Sequence, residues 1–134
     1  MATTDDALLA DIVIPLEPVP ASRPRVTRWG VSYSKAYQAW KDAAVASLKD
    51  KRCPIDKDVP LTVIVESVST KPRTGKLQAP RYDVDNAAKG PMDAITASGN
   101  FWADDSQVVV LISAKRYAEP GEEAHTRVTI GRAE

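Results

Sequence analysis

Apolar and polar positions along the chain fall into a short series of separable patterns. Residues 11 to 16, Asp-Ile-Val-Ile-Pro-Leu, read as a first strand. It ends in a stretch holding Pro15, Pro18, Pro20 and Pro24, because proline cannot donate to a sheet ladder. Trp29-Gly30 is a turn candidate between two short extended pieces. From Ser34, a candidate N-cap, to about Lys49, the residues Ala36, Ala39, Trp40, Ala43, Ala44, Ser47 and Leu48 recur at helical spacing. Pro54 and Pro60 break the next stretch, and Leu61-Thr-Val-Ile-Val65 follows as a β-branched strand. A second helical pattern covers 85 to 98, with Val84, Ala88, Met92 and Ile95 on one face. Gly90-Pro91 interrupts it. An interior proline costs about 3 kcal/mol, so this helix is either kinked there or begins at Pro91. Gln107 to Tyr117 is a long apolar strand, and a Pro120-Gly121 turn joins it to a last strand over 125 to 130. The order strand, helix, strand, helix, strand, strand predicts an α/β or α+β domain over 1–134, with a mixed sheet packed with two main helices. Residues 1–10 are expected to be flexible.

Composition narrows the chemistry. With 134 residues and 43% hydrophobic content, the chain can build one core. No stretch approaches the roughly 18 consecutive apolar residues of a membrane span, and no secretory signal is visible, so a cytoplasmic location is expected. One cysteine, Cys53, and one histidine, His125, exclude an internal disulfide and a zinc site of the usual Cys and His kind. Metal chemistry would therefore fall to carboxylates, which suit hard cations such as magnesium, manganese or calcium.

The net charge is zero, which alone argues against a nucleic-acid binder. The distribution changes the picture. Arg23, Arg25, Arg28, Lys35 and Lys41 occupy residues 18 to 41, and Lys71, Arg73, Lys76 and Arg81 occupy 67 to 82, with no acid in either stretch. Acids gather at Asp5, Asp6, Asp11 and Glu17, and again at Asp83, Asp85, Asp93, Asp104 and Asp105. An acidic site flanked by basic segments suits a polyanionic substrate; solvated basic loops are the plainer alternative.

Asp83-Val84-Asp85-Asn86 follows the second basic stretch directly. Two carboxylates two apart point the same way in extended backbone and diverge by about 200° in a helix. Convergence on one metal therefore needs them at the end of an extended segment, before or at the start of the helix. The alternative is a helix cap at Asp85 and a loop acid at Asp83. Lys89, four residues on, either makes a helical ion pair with Asp85 or stands near a reacting phosphate, where it would offset transition-state charge. Asp104-Asp105 sits just before an apolar strand, as a turn or as a further ligand. Trp40 and Trp102 are expected in the core, Trp29 in the core or on DNA, and Cys53 and His125 are read as structural or incidental.

Taken in order, Asp83-x-Asp85-Asn86-x-x-Lys89, Asp93-Ala94-Ile95 and Trp102-x-Asp104-Asp105-x-Gln107-Val108 resemble the signature of the RusA family of Holliday junction resolvases. Pro20-Ala21-Ser22-Arg23-Pro24-Arg25, with Tyr33 and Tyr37-x-x-Trp40, is similar to phage and prophage members, and the resemblance covers most of 11 to 130. It implies catalytic and metal-binding roles for Asp83, Asp85 and Asp105, with Asp104 as the secondary metal candidate, and an essential Lys89. The chain departs from the family at Tyr82, where members often carry a basic residue; here Arg81 lies one position earlier.

The resemblance further implies a magnesium-dependent endodeoxyribonuclease, with manganese able to substitute, cutting four-way junctions in DNA recombination and repair. It would act as a homodimer, without a nucleotide cofactor or a membrane. Arg23, Arg25, Arg28, Lys71, Arg73, Lys76 and Arg81 would hold DNA phosphates. The rivals are a less selective branched-DNA or flap nuclease and a noncatalytic DNA-binding module.

Overall fold

The computed structural model describes residues 8–21, 25–28, 30–32, 34–74 and 77–133. In chain order its elements are β1 (Leu8–Ile14), β2 (Arg25–Thr27), β3 (Gly30–Ser32), α1 (Lys35–Ser47), β4 (Leu61–Ser69), α2 (Val84–Ser98), a 3-10 turn (Asp105–Gln107), β5 (Val108–Tyr117) and β6 (His125–Arg132). The main sheet has the order β1-β6-β4-β5, and β2 and β3 form a separate two-stranded ribbon. β4 runs parallel to β5 and antiparallel to β6, which is antiparallel to β1. The sheet is mixed and carries two main helices, an α+β fold. Among the described residues, no helix is long and apolar enough to cross a membrane.

Side-chain alternation assigns the two faces of the sheet. Leu61, Val63 and Val65 of β4 are fully buried, as are Val128 and Ile130 of β6, with Ile12 and Ile14 of β1 beside them. They share one cluster with Trp40, Ala44, Ala88, Ala94, Ile95 and Trp102, so both helices cover this face. The intervening residues, Ile64 of β4 and Val13 of β1, stand about 40% exposed on the other side. That opposite face is also where Arg127 pairs with Asp11 and Arg116 with Glu66.

Several sequence expectations shift. β1 begins at Leu8, because Leu8 and Ala10 already pair with Gly131 and Ile130 of β6; residues 8–10, expected to be flexible, belong to the sheet, and residues 1–7 lie outside the described set. The strand stops at Ile14, ahead of Pro15. Ser34 does cap α1, its hydroxyl accepting from the Tyr37 amide at 3.2 Å. α2 runs through Gly90-Pro91 without a break and ends at Gly99, whose φ of 67° is the left-handed conformation glycine tolerates. Gly90 and Pro91 are both buried. A Cβ at Gly90 would stand 3.0 Å from the Trp40 ring and 3.2 Å from the Tyr37 ring, so α1 packs tightly against α2 at this point. That packing offsets the proline's cost.

β5 and β6 are not a hairpin. β4 lies between them, so the loop holding Pro120-Gly121 crosses the end of β4. β5 is also an edge strand, and its apolar run is not core: Val109, Val110, Leu111 and Ile112 are 61%, 45%, 44% and 50% exposed.

Candidate active site

Two segments deliver the acids, and each is locked from below. The first is the start of α2. Asp83 is the N-cap in extended backbone (φ −69°, ψ 136°), exposed and making no side-chain cap hydrogen bond, while Asp85 lies in the first helical turn. A capping role for Asp85, one of the two alternatives, does not hold. Carboxylates at this end of a helix are favoured by the positive end of its dipole. Three hydrogen bonds anchor the approach to α2: Ser113 donates to the Val84 carbonyl at 2.6 Å, Lys115 donates to the Tyr82 carbonyl, and the Tyr82 and Ser69 hydroxyls share a 2.7 Å hydrogen bond. The Lys115 ammonium also lies 5.6 Å from the centre of the Tyr82 ring.

The second segment is the 3-10 turn. Trp102 is buried, and its indole N–H donates to Thr96 Oγ1 at 2.7 Å. Buried Gln107 accepts from the amides of Ala103 (2.8 Å) and Asp104 (3.2 Å) and donates to the carbonyls of Asp56 (2.8 Å) and Val59 (3.1 Å). Four bonds from one amide side chain use its whole capacity and leave the turn little freedom. Asp104 caps the turn, its carboxylate accepting from the Ser106 amide, which is the main reason its carboxyl sits below the usual range.

A cavity of about 260 Å³ opens between these segments, lined by Asp85, Ala88, Lys89, Met92, Asp93, Asp105 and Leu111. Of the residues singled out in the sequence, Asp85, Lys89 and Asp105 meet there. Asp83 and Asp104 are outside the lining. Burial, then the neighbouring Asp104, then the charge of Asp93 push the Asp105 carboxyl above its ordinary value. Like charges are crowded here, and a cation would relieve them. The donors are oxygens, as a hard cation requires, yet among the described residues no three His, Cys, Asp or Glu side chains stand close enough to hold one ion.

Asp93 was named in the sequence only as part of a motif, and the structure adds it to the pocket. The clue was its spacing, four residues after Lys89 and eight after Asp85, which is one face of a helix only if α2 continues through Pro91. Leu111 and Met92, which form the apolar wall, carried no signal as site residues.

The basic residues are spread more widely. Arg28, Lys71, Arg73 and Arg81 are exposed. Lys71 lines a different, larger cavity of about 530 Å³ with Arg116, Tyr117 and Glu122, at the far end of β5. Size does not make that cavity the reactive one, because Arg116 there is bonded to Glu122 at 2.6 Å and to Glu66 at 3.5 Å. Arg25 is described only as a register position of β2, opposite Ser32. Arg23, Lys76 and Trp29 lie outside the described residues.

Carboxylates gathered beside a lysine in a partly apolar cavity are groups that suit hydrolysis of a phosphodiester. Comparison with known families agrees. The model of the family described as endodeoxyribonuclease RusA matches residues 15–131, nearly the whole chain, and the chain belongs to that family. It is thus a member of an endodeoxyribonuclease family, and the acidic pocket lies inside the matched region. No curated protein matches the chain.

Proposed function

We propose that the protein is a magnesium-dependent, structure-specific endodeoxyribonuclease that resolves four-way DNA junctions as a homodimer. The observation that carries this reading is the meeting of Asp85, Asp105 and Lys89 in one cavity of a chain in the RusA family. Asp85 and Asp105 would hold the ion; Asp83, an exposed carboxylate two residues from Asp85 that makes no cap hydrogen bond with its helix, stands outside the lining and would have to turn toward it to join them. A bound magnesium ion supplies an activated water and positive charge on the phosphate oxygens.

The chain's own groups do the rest. Lys89 sets a cation beside the reacting phosphate, where charge builds in the transition state. Met92 and Leu111 add apolar surface to the cavity. Arg25, Arg28, Arg73 and Arg81, with Arg23, Lys71 and Lys76, would hold the DNA backbone and give an affinity that falls steeply with salt. Asp104, committed to its turn, leaves Asp105 as the better ligand.

Resolution needs two strands cut at symmetric positions, and the described residues of one chain form one acidic pocket of this kind. Two chains related by a twofold axis supply two. In support of this, β5 is an edge strand of the described sheet, and Val110 and Ile112, beside Ile64 of β4, leave an apolar strip exposed. Edge strands of this kind are usually covered. In solution the mass should be twice the 14.5 kDa of the chain, and Ile112→Lys should lower it.

The direct test is a panel of labelled substrates: a four-way junction with a mobile core, a flap, a nicked duplex and a linear duplex. We expect paired nicks on opposing strands of the junction with magnesium or manganese, binding without efficient turnover in calcium, and no cutting in EDTA. Equal cutting of flap and junction would favour the less selective nuclease, and full activity in EDTA would end the metal reading.

A further inference from the structure

Asp85, Lys89 and Asp93 recur every four residues along α2 and line one cavity. The reaction described above uses the first two. Asp93 has no part in it, yet it is held by a buried side chain of the other helix. The Tyr37 hydroxyl, reaching across from α1, donates to Asp93 Oδ2 at 2.9 Å. Tyr37 is only 1% exposed, so this bond is made by a ring that cannot swing away. Its seat is fixed as well: the ring packs on Gly90, where an added Cβ would lie 3.2 Å from it, one helical turn before Asp93.

A plain structural account would have Asp93 merely satisfy a buried tyrosine. A neutral acceptor would do that at lower cost, because a carboxylate here adds negative charge to a cavity that already holds Asp85 and Asp105. Lys89 brings one positive charge to a lining with three carboxylates, and a divalent cation in the cavity would balance the others. Magnesium keeps several of its waters when protein-bound, and carboxylates that accept from such waters or from the ligands orient the whole set.

We propose that Asp93, gripped by Tyr37, is a positioning residue of the metal centre: one oxygen takes the tyrosine hydroxyl and the other accepts from the water shell of a divalent cation held by Asp85 and Asp105. This rests on the metal-dependent reading above. Gly90 is then part of the same device, since it lets α1 approach closely enough for Tyr37 to reach Asp93.

The test is binding of manganese alone, by calorimetry or by electron paramagnetic resonance of the free ion, on the full chain without DNA. Asp93→Asn keeps an acceptor for Tyr37 and removes the charge; Tyr37→Phe keeps the ring and removes the bond. Asp93→Asn should weaken manganese binding about tenfold and Tyr37→Phe by a smaller factor, the range typical of lost outer hydrogen-bond partners. Both should raise the metal concentration needed for half-maximal cleavage, while junction binding in calcium stays unchanged. If the bond is only structural, Tyr37→Phe lowers the melting temperature, and both variants bind manganese as the wild type does; that overturns the proposal and leaves the nuclease reading standing. A wild-type chain that binds no manganese but still cuts DNA would overturn both.

Discussion

The two ends of β5 handle acidic side chains in opposite ways. At the C-terminal end, Arg116 grips Glu122 through two nitrogens, at 2.6 and 2.8 Å, and the Glu122 carboxyl is held down to about 2. At the N-terminal end, Asp105 stands near Asp104 and Asp93, and partial desolvation together with their charges pushes its carboxyl up. At the paired end one guanidinium, that of Arg116, serves both Glu122 and Glu66. The crowded end places acids against acids, with Lys89 the cation in the lining. Folding gains nothing from that crowding, which is the pattern the proposed nuclease centre would leave in the fold.

The largest effect that follows is on turnover. Asp85→Asn and Asp105→Asn should each abolish junction cleavage and spare binding, and Asp83→Asn should do the same if it completes the ligand set. Asp104→Asn should cut more slowly than wild type yet remain active, because it disturbs the turn and not the lining; a dead Asp104→Asn with an active Asp105→Asn would reverse the assignment within the pair. Lys89→Ala should lower the cleavage rate by about 10² to 10³ at saturating magnesium, with little change in binding. A Lys89→Ala enzyme of normal rate would reduce the lysine to a surface charge.

Stability effects come next. Gly90→Ala should cost about 1–3 kcal/mol in denaturant unfolding, because the added methyl meets the Trp40 and Tyr37 rings. Asp105→Asn should unfold at a higher temperature than wild type at neutral pH. The raised carboxyl means that its ionised form weighs against the folded state, so the advantage exists above its pKa and fades as pH falls below the ordinary value of 3.8, where the wild-type group is neutral in both states. Glu122→Gln should do the reverse and least. A depressed carboxyl stabilises above the ordinary 4.5 and loses that contribution as pH falls through about 2, and this pair is too exposed to move the melting midpoint by more than a few degrees. Equal responses at both ends of β5 would break the comparison.

Much of this was legible in the residue order. The Ser34 cap, the β-branched run at Leu61 and the core roles of Trp40 and Trp102 could be read directly, because each is a local or periodic signal. Strand pairing was not legible: an apolar strand, a turn and another strand read as neighbours, and nothing in their periodicity shows that β4 is inserted between them. The exposure of Val109 to Ile112 was hidden for the same reason, since an edge position depends on sheet order. Asp93 was hidden by Pro91. Whether it joins Asp85 and Lys89 depends on the helix being continuous, and continuity depends on tertiary packing of α1 over Gly90.

The central claim, that the crowded end of β5 is the nuclease centre, is tested most directly by giving Asp105→Asn a labelled four-way junction in magnesium. The account predicts a retarded complex on a native gel, as with wild type, and no nicks on any strand. Paired nicks at the wild-type rate from a folded Asp105→Asn protein would contradict it.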